Sequence, residues 1–557
     1  MSGAKGADPH QRGEDALARN DWSAARDAFR EALLTGESAR SYEGLSWAAL
    51  ALDDGDTALF ARRNAYRLYR AQGDAVSAAR MAMWAGKDHE DFRGEPAVAR
   101  GWRERARRLL QDQPVTPEHG WLALFECWEV LAHGEDPEQV RRCASDAMVV
   151  SRQCNEPDMA ILALAMDGLA LVSDGRVGDG MRHLDEAAAA ALAGELQQPI
   201  WELPVLCWLI YACERVRDFD RAGEWCEMMR GAAERLQHTA SQGICRTHYA
   251  TVLASRGRWR EAESTLAAAA GRFRTSWPPQ TAEATVRLAD LRRRQGQMDE
   301  AEALLRPLDW HPLAMLGLAE IALETGRAGD AEARIATFLR HIPAQNRLER
   351  ASAQELLVRI HIARGDQRGA ADALADLSAL AGMAGTLPLQ AAARFAEGLT
   401  AGATGDLHQA RVCCEDAVAL YERSGIPFEA AHARLELAET LNALGHSGRA
   451  REEAGNARHI FEELGARGWL QRADALLDNL FSRSGRSSDS GSTRVLTARQ
   501  IDVLRLVAEG RSDAQIAASL HISPHTVHRH IANILLRLDA PTRTAAATRA
   551  VAEGLID

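Results

Sequence analysis

Lysine is almost missing from this chain. Only Lys5 and Lys87 occur in 557 residues, so arginine supplies nearly all of the 66 positive charges. That bias fits a GC-rich coding sequence and needs no mechanism. Aromatic residues make up 5%, while Ala, Leu, Arg and Glu abound, which points to helices. No run of about 18 apolar residues occurs, which excludes a membrane-spanning helix. The stretch from Met1 to Gly13 is polar and lacks the apolar core of a signal peptide, so a cytoplasmic location is expected. The nine cysteines form no C-x-x-C pair and no Cys/His zinc spacing, and they read as buried thiols.

Catalytic constellations are missing too. A phosphate-binding loop needs Gly-Lys followed by Ser or Thr; here Gly86-Lys87 is followed by Asp88. His-Glu-x-x-His, Gly-x-Ser-x-Gly and any alternation of strand and helix patterns are absent. No catalytic, cofactor-binding or metal-binding residue is assigned, and no enzyme is expected.

What is present converges at the end of the chain, in residues 494–557. Thr497 and Gln500 have capping-box spacing, with Leu496 and Ile501 placed as a hydrophobic staple, so a helix should start at Ala498 and end at Gly510. Ile501, Leu504, Val507 and Ala508 give it one apolar face. Ser512 and Gln515 repeat the cap for a short second helix that turns Ile516, Ala517 and Leu520 inward. Ser523 can cap a third helix whose first position suits Pro524. Its buried stripe is Val527, Ile531, Ile534, Leu535 and Leu538. His525, Arg529, Ala532 and Asn533 remain outside, flanked by Thr526 and His528. A fourth helix is expected from about Thr542 to Gly554. Two short helices joined by a tight turn, the second offering small, basic and amide side chains, are what entry into a ~12 Å major groove requires.

Leu496-Thr497, Glu509-Gly510, Gln515-Ile516-Ala517, Ile522-Ser523, Thr526-Val527 and His528-Arg529-His530 through Asn533-Ile534 resemble the LuxR-type helix-turn-helix domain of bacterial transcription regulators. The resemblance implies that Ser512 to Ile531 is the helix-turn-helix and that His528, Arg529 and Ala532 read bases. It also implies pairing through the fourth helix. Ala532 departs from the basic residue common at its position, and Asp539 stands where a glycine usually ends the recognition helix. The residues expected at the DNA are Ser512, Gln515, Ser523, His525, Thr526, His528, Arg529, Ala532 and Asn533.

The rest of the chain repeats a phrase: a helical segment, a turn of Gly or Asn with Asp or Arg, then a second segment with alanine at a fixed offset. Gly257, Gly296, Gly326, Gly365, Gly405 and Gly445 mark turns 39, 30, 39, 40 and 40 residues apart. Asn20-Asp21, Asp54-Gly55, Gly73-Asp74 and Gly94-Glu95 mark earlier ones. Glycine takes the left-handed position that stops a helix, and the following Asp can cap the next. Such spacing is the mark of stacked helical hairpins. The units resemble tetratricopeptide repeats, with a longer period. Gln197 to Cys226 gathers Trp201, Trp208, Tyr211 and Trp225; these aromatics are expected in the core, the other reading being a ligand pocket on the concave face.

The expected organisation is all-α. Residues 1–12 are a disordered N-terminus, 13–482 a tetratricopeptide-like solenoid, 483–493 a Ser- and Gly-rich flexible linker, and 494–557 the helix-turn-helix domain. Charge agrees with that division. Residues 494–557 carry 8 Arg against 6 acids, whereas residues 1–482 carry 56 Lys and Arg against 71 acids. The functional expectation is a transcription regulator binding double-stranded promoter DNA as a homodimer, its solenoid responding to a small-molecule effector or a protein such as RNA polymerase or a regulatory partner. The alternative is a helical-repeat scaffold whose tail docks proteins.

Overall fold

The computed structural model describes residues 8–132, 136–236, 239–487, 496, 498–520, 524–538, 540, 542–552 and 555–556. Among them are 29 α-helices and three single 3-10 turns, with no strand. The helices run α1 Pro9–Ala18, α2 Trp22–Thr35, α3 Ala39–Ala51, α4 Gly55–Gln72, α5 Ala75–Arg93, α6 Pro96–Leu110, α7 Pro117–Ala132 and α8 Pro137–Cys154. There follow α9 Pro157–Ser173, α10 Val177–Leu192, α11 Glu202–Arg215, α12 Phe219–Arg235, α13 Thr239–Ser255, α14 Trp259–Ser276, α15 Pro278–Arg294 and α16 Met298–Leu305. Next come α17 Pro312–Glu324, α18 Ala328–His341, α19 Ala351–Arg364, α20 Gln367–Ala384, α21 Leu387–Thr404, α22 Leu407–Arg423, α23 Pro427–Ala443, α24 Ser447–Leu464 and α25 Arg467–Ser487. The last four are α26 Ala498–Ala508, α27 Asp513–Leu520, α28 Pro524–Arg537 and α29 Arg543–Ala552. The chain divides into two compact units, residues 1–477 and 478–557. No helix of the described residues is long and apolar enough to cross a membrane.

From α1 to α24 each helix of the first unit packs against the next, which is the tetratricopeptide-like arrangement. The turns work as their residues dictate. After α19, Gly365 adopts φ +74°, its N–H donates to the Ile362 carbonyl, and the N–H of Asp366 reaches back to His361. Asp366 then accepts from the Gly369 N–H at 3.0 Å, capping α20. The same arrangement recurs at Gly405 and Asp406. At Asp54-Gly55 the turn differs from expectation. Asp53 holds the left-handed position at φ 57° and Asp54 caps, while Gly55 opens α4. Glycine is needed there because a Cβ would lie 2.5 Å from the Phe92 ring.

Two expected boundaries shift. Asp8 caps α1 through the His10 N–H, so residues 9–12 are helical, and Gly13 is buried where a Cβ would strike Phe29 at 2.6 Å. At the other end α25 continues through Ser487, covering the first five residues of the stretch read as a linker. Ala473 and Leu480 are buried along this helix. Trp201 and Trp208 are core residues. Trp201 stacks on Trp84 and Trp121 at centroid distances of 5.8 and 5.0 Å, and Trp208 meets Trp128 at 5.2 Å.

Helices distant in sequence also touch, so the stack coils back on itself. The indole of Trp277 donates to Asp53 at 3.2 Å, that of Trp22 to the Leu236 carbonyl at 3.2 Å, and Thr386 to the Val216 carbonyl at 2.5 Å. Further along, Arg256 donates to the Ser424 carbonyl at 2.6 Å and Arg294 pairs with Glu429 at 2.7 Å. At Gly296 a Cβ would stand 3.0 Å from the amide nitrogen of Gly468.

Candidate nucleic-acid interface

The second unit is built around one small core. Val503, Leu504 and Val507 of α26, Ile516 and Ala517 of α27, Val527, Ile531 and Ile534 of α28 and Ala546, Ala547 and Ala550 of α29 are buried together, with Leu496, Leu538 and Ile556. Ile501 and Leu535 pack at its edge. On α26 the apolar face is rotated from the expected one: Val503 is fully buried and Ala508 is exposed. With steps of three and four residues, Val503 and Val507 share a stripe that leaves Ala508 outside.

Caps fix the helix ends. Gly510 takes φ +78° and stops α26. The Ser512 N–H donates to Gln515 Oε1 at 2.9 Å, and the Gln515 N–H donates to Ser512 Oγ at 3.4 Å, a reciprocal capping box. Thr542 Oγ accepts from the Ala545 N–H at 3.2 Å to open α29, and the Ala540 N–H donates to the Leu535 carbonyl at 2.9 Å to close α28. Two arginines tie the helices together. Arg499 donates to the Leu520 carbonyl at 2.5 Å, and Arg543 pairs with Asp513 at 3.0 Å while also donating to the Arg511 carbonyl. Sequence reasoning missed both, because each links residues at least 21 positions apart.

α28 is the helix expected in the groove. Its buried residues recur at 527, 531 and 534, with Leu538 just past its end, which turns Ala532 and Asn533 to solvent and leaves Thr526 half-buried. His525, His528 and Arg529 lie in its first two turns, their side chains outside the described set, and Ser523, Thr497 and Asp539 lie outside the described residues altogether. Ser512 and Gln515 are exposed at the start of α27, one helix earlier. On α29, Thr544, Thr548 and Val551 are exposed, whereas Ala547 belongs to the core.

Residues 494–550 match the model of the luxR family of bacterial regulatory proteins. The C-terminal domain is a LuxR-family helix-turn-helix. Over 56 residues it is 48% identical to the uncharacterized transcriptional regulatory protein YhcZ of Bacillus subtilis (strain 168), covering 10% of this chain and 26% of that one. Over 82 residues the chain is 38% identical to the nitrate/nitrite response regulator protein NarP of Escherichia coli (strain K12), covering 15% and 38%. The chain thus spans well under half the length of these relatives. Among solved structures, Rap protein complexed with competence and sporulation factor aligns with 63% of this chain and 99% of its own, at 14% identity and a TM-score of 0.47. The LuxR domain accounts for the α26–α29 unit; the helical body lies outside the family match.

That body contains a hollow the sequence did not disclose. Residues of α15, α17, α19, α21, α23 and α25, with Met298 of α16 and Leu407 and Cys414 of α22, line a space of about 820 Å³. Arg293, Arg359 and Arg472 line it, each bound to carboxylates: Arg293 to Glu324, Arg359 to Glu320 at 2.8 Å, and Arg472 to Glu436 at 2.5 Å and Glu439 at 3.0 Å. The His432 and Trp469 rings form one wall, 4.2 Å apart. Burial and the surrounding arginines hold His432 well below the usual imidazole range, so it is neutral.

Proposed function

We propose that this chain is a cytoplasmic transcription regulator that binds promoter DNA as a homodimer through its LuxR-type domain, under the control of its helical-repeat body. The family match over residues 494–550 carries the reading. The exposed Ala532 and Asn533 on α28 support it, since a recognition helix needs one face free of core contacts. In this reading His525, Thr526, His528, Arg529, Ala532 and Asn533 meet the major groove. Ser512, Gln515 and Ser523 fix the helix ends beside the phosphates, where exposed N–H groups favour anions. The body senses a ligand or a protein partner, RNA polymerase or another regulator included, and the hollow ringed by α15 to α25 is the place for a small effector.

Mapping the genomic sites occupied by the full-length protein, followed by binding titrations on one of them over a series of salt concentrations, tests the reading. Phosphate contacts release counterions, so affinity should fall steeply and linearly on a log-log plot, and a cognate site should exceed random DNA by a factor of at least ~10³. Equal, weak binding to every sequence would sink the regulator and leave a scaffold whose tail docks proteins.

A further inference from the structure

Burial pushes up the thiols of Cys127, Cys143, Cys213, Cys413 and Cys414, which makes them inert. Cys226 on α12 and Cys245 on α13 are different because they face one another. Cys245 Sγ donates to the backbone carbonyl of Cys226 at 3.3 Å, which sets the Cys245 sulfur against Cys226 on the neighbouring helix. Both are nearly buried, at 1% and 3% exposure. His248 stands one turn after Cys245 on the same helix, with Nδ1 3.1 Å from Glu214. Burial opposes its charge, but the Glu214 carboxylate outweighs burial and raises His248 to about 10, so it is an imidazolium at neutral pH. The hydrogen bond from Cys226 pulls the Cys245 thiol down, burial opposes this, and the positive charge of His248 adds to the pull. Among the described thiols with a displaced acidity, Cys245 alone is moved toward thiolate.

We propose that Cys226 and Cys245 form an oxidation site, at which a small hydroperoxide is reduced and a disulfide is made between α12 and α13. The Cys245 thiolate attacks the terminal peroxide oxygen, the O–O bond breaks, and the departing alkoxide or hydroxide takes up a proton. Cys245 is then a sulfenic acid. The neighbouring Cys226 sulfur attacks it, losing its own proton, and the displaced hydroxide leaves as water. Two thiols and one hydroperoxide give one disulfide, one alcohol (water, from hydrogen peroxide) and one water; two electrons pass from sulfur to oxygen. Burial selects the oxidant. Hydrogen peroxide is small and uncharged, whereas glutathione disulfide is bulky and anionic. Because α12 and α13 are already packed neighbours, the bond staples an existing hairpin.

The test uses the reduced full-length protein, treated with hydrogen peroxide or with glutathione disulfide, then denatured, alkylated and mapped by tryptic mass spectrometry. With peroxide, two of the nine thiols should escape alkylation, in a linked pair of the peptides Ala222–Arg230 and Leu236–Arg246; glutathione disulfide should leave both alkylated. In Cys226→Ser, peroxide should leave Cys245 as a sulfenic acid trapped by a dimedone probe. In Cys245→Ser, Cys226 should stay reduced. Nine alkylated thiols after peroxide, or oxidation that begins at other cysteines, would overturn the proposal without any variant being needed.

Discussion

Ser512 and Gln515 occupy each other. The side chain of each accepts the backbone N–H of its partner, at 3.4 and 2.9 Å, so both are committed to starting α27. In the proposed regulator their part would be to aim the helix. Replacing Ser512 with Ala should destabilise the C-terminal unit by about 1 kcal/mol. Faster amide exchange at Gln515 and a lower unfolding midpoint of this unit are the readouts. An unchanged midpoint would mean that the cap contributes nothing here.

Much of this was legible, and the limits are physical. Gly365-Asp366 and Gly405-Asp406 announce their turns because left-handed backbone and Asp caps are local requirements. The stripe Val527, Ile531, Ile534 and Leu538 likewise follows from the helical period alone. By contrast, Gly55 looked like a turn residue and proved to be a contact with Phe92, since the demand on it comes from another helix. The linkage of Trp277 to Asp53 and the hollow beside His432 depend on the pitch of the superhelix. Pitch is the sum of many small interhelix rotations, and no single residue encodes it.

Gly168 and Gly180 set how closely α9 and α10 approach. A Cβ at Gly168 would lie 2.8 Å from the Gly180 carbonyl oxygen, and one at Gly180 would lie 2.4 Å from that of Gly168. Both neighbours are backbone and cannot rotate away. Gly168→Ala should gain helix propensity yet lose about 1–3 kcal/mol to overpacking, visible in urea unfolding of the body. A variant at least as stable as wild type would show that the two helices can separate without cost.

His248 gives the body a pH dependence with a definite sign. Its pKa rises from the ordinary 6.5 to about 10: burial disfavours the charge, but Glu214 and the hydrogen bonds to Glu214 and Cys207 prevail. A group whose folded pKa is raised stabilises the fold fully below its unfolded pKa, and that stabilisation fades as pH rises through the folded value. Stability from this residue should thus hold near pH 6 and decline between pH 6.5 and about 10. Comparing urea midpoints of wild type and His248→Gln over that range tests it; Arg287 and Glu283, which share the network, keep their charges throughout. Parallel curves for the two proteins would remove His248 as the cause.

Pairing through α29, as the LuxR resemblance implies, must use the face that is free. Ala547 is 9% exposed within the core, so Ala547→Arg would report on folding rather than on association. Val551 is 52% exposed on the same helix, with Thr544 and Thr548 beside it. Val551→Arg should leave the domain folded, weaken operator binding by at least ~10-fold and shorten the footprint to one half-site. An unaltered footprint with unaltered affinity would exclude α29 as the dimer contact.

Arg529 is the residue on which specificity should turn. It follows Val527, which is fully buried, by two positions in the first turns of α28. A guanidinium there can donate two parallel hydrogen bonds to guanine O6 and N7, a pattern that no other base offers in the major groove. Neighbouring Ala532 is small and exposed, which leaves room for the bases to approach. Arg529→Ala should then cost about 1–3 kcal/mol at the cognate site and much less on random DNA. The comparison separates two roles, because a phosphate contact contributes equally on every sequence and its loss lowers the salt slope by about one. Equal losses on cognate and random DNA, with a shallower slope, would move Arg529 from base reading to the backbone.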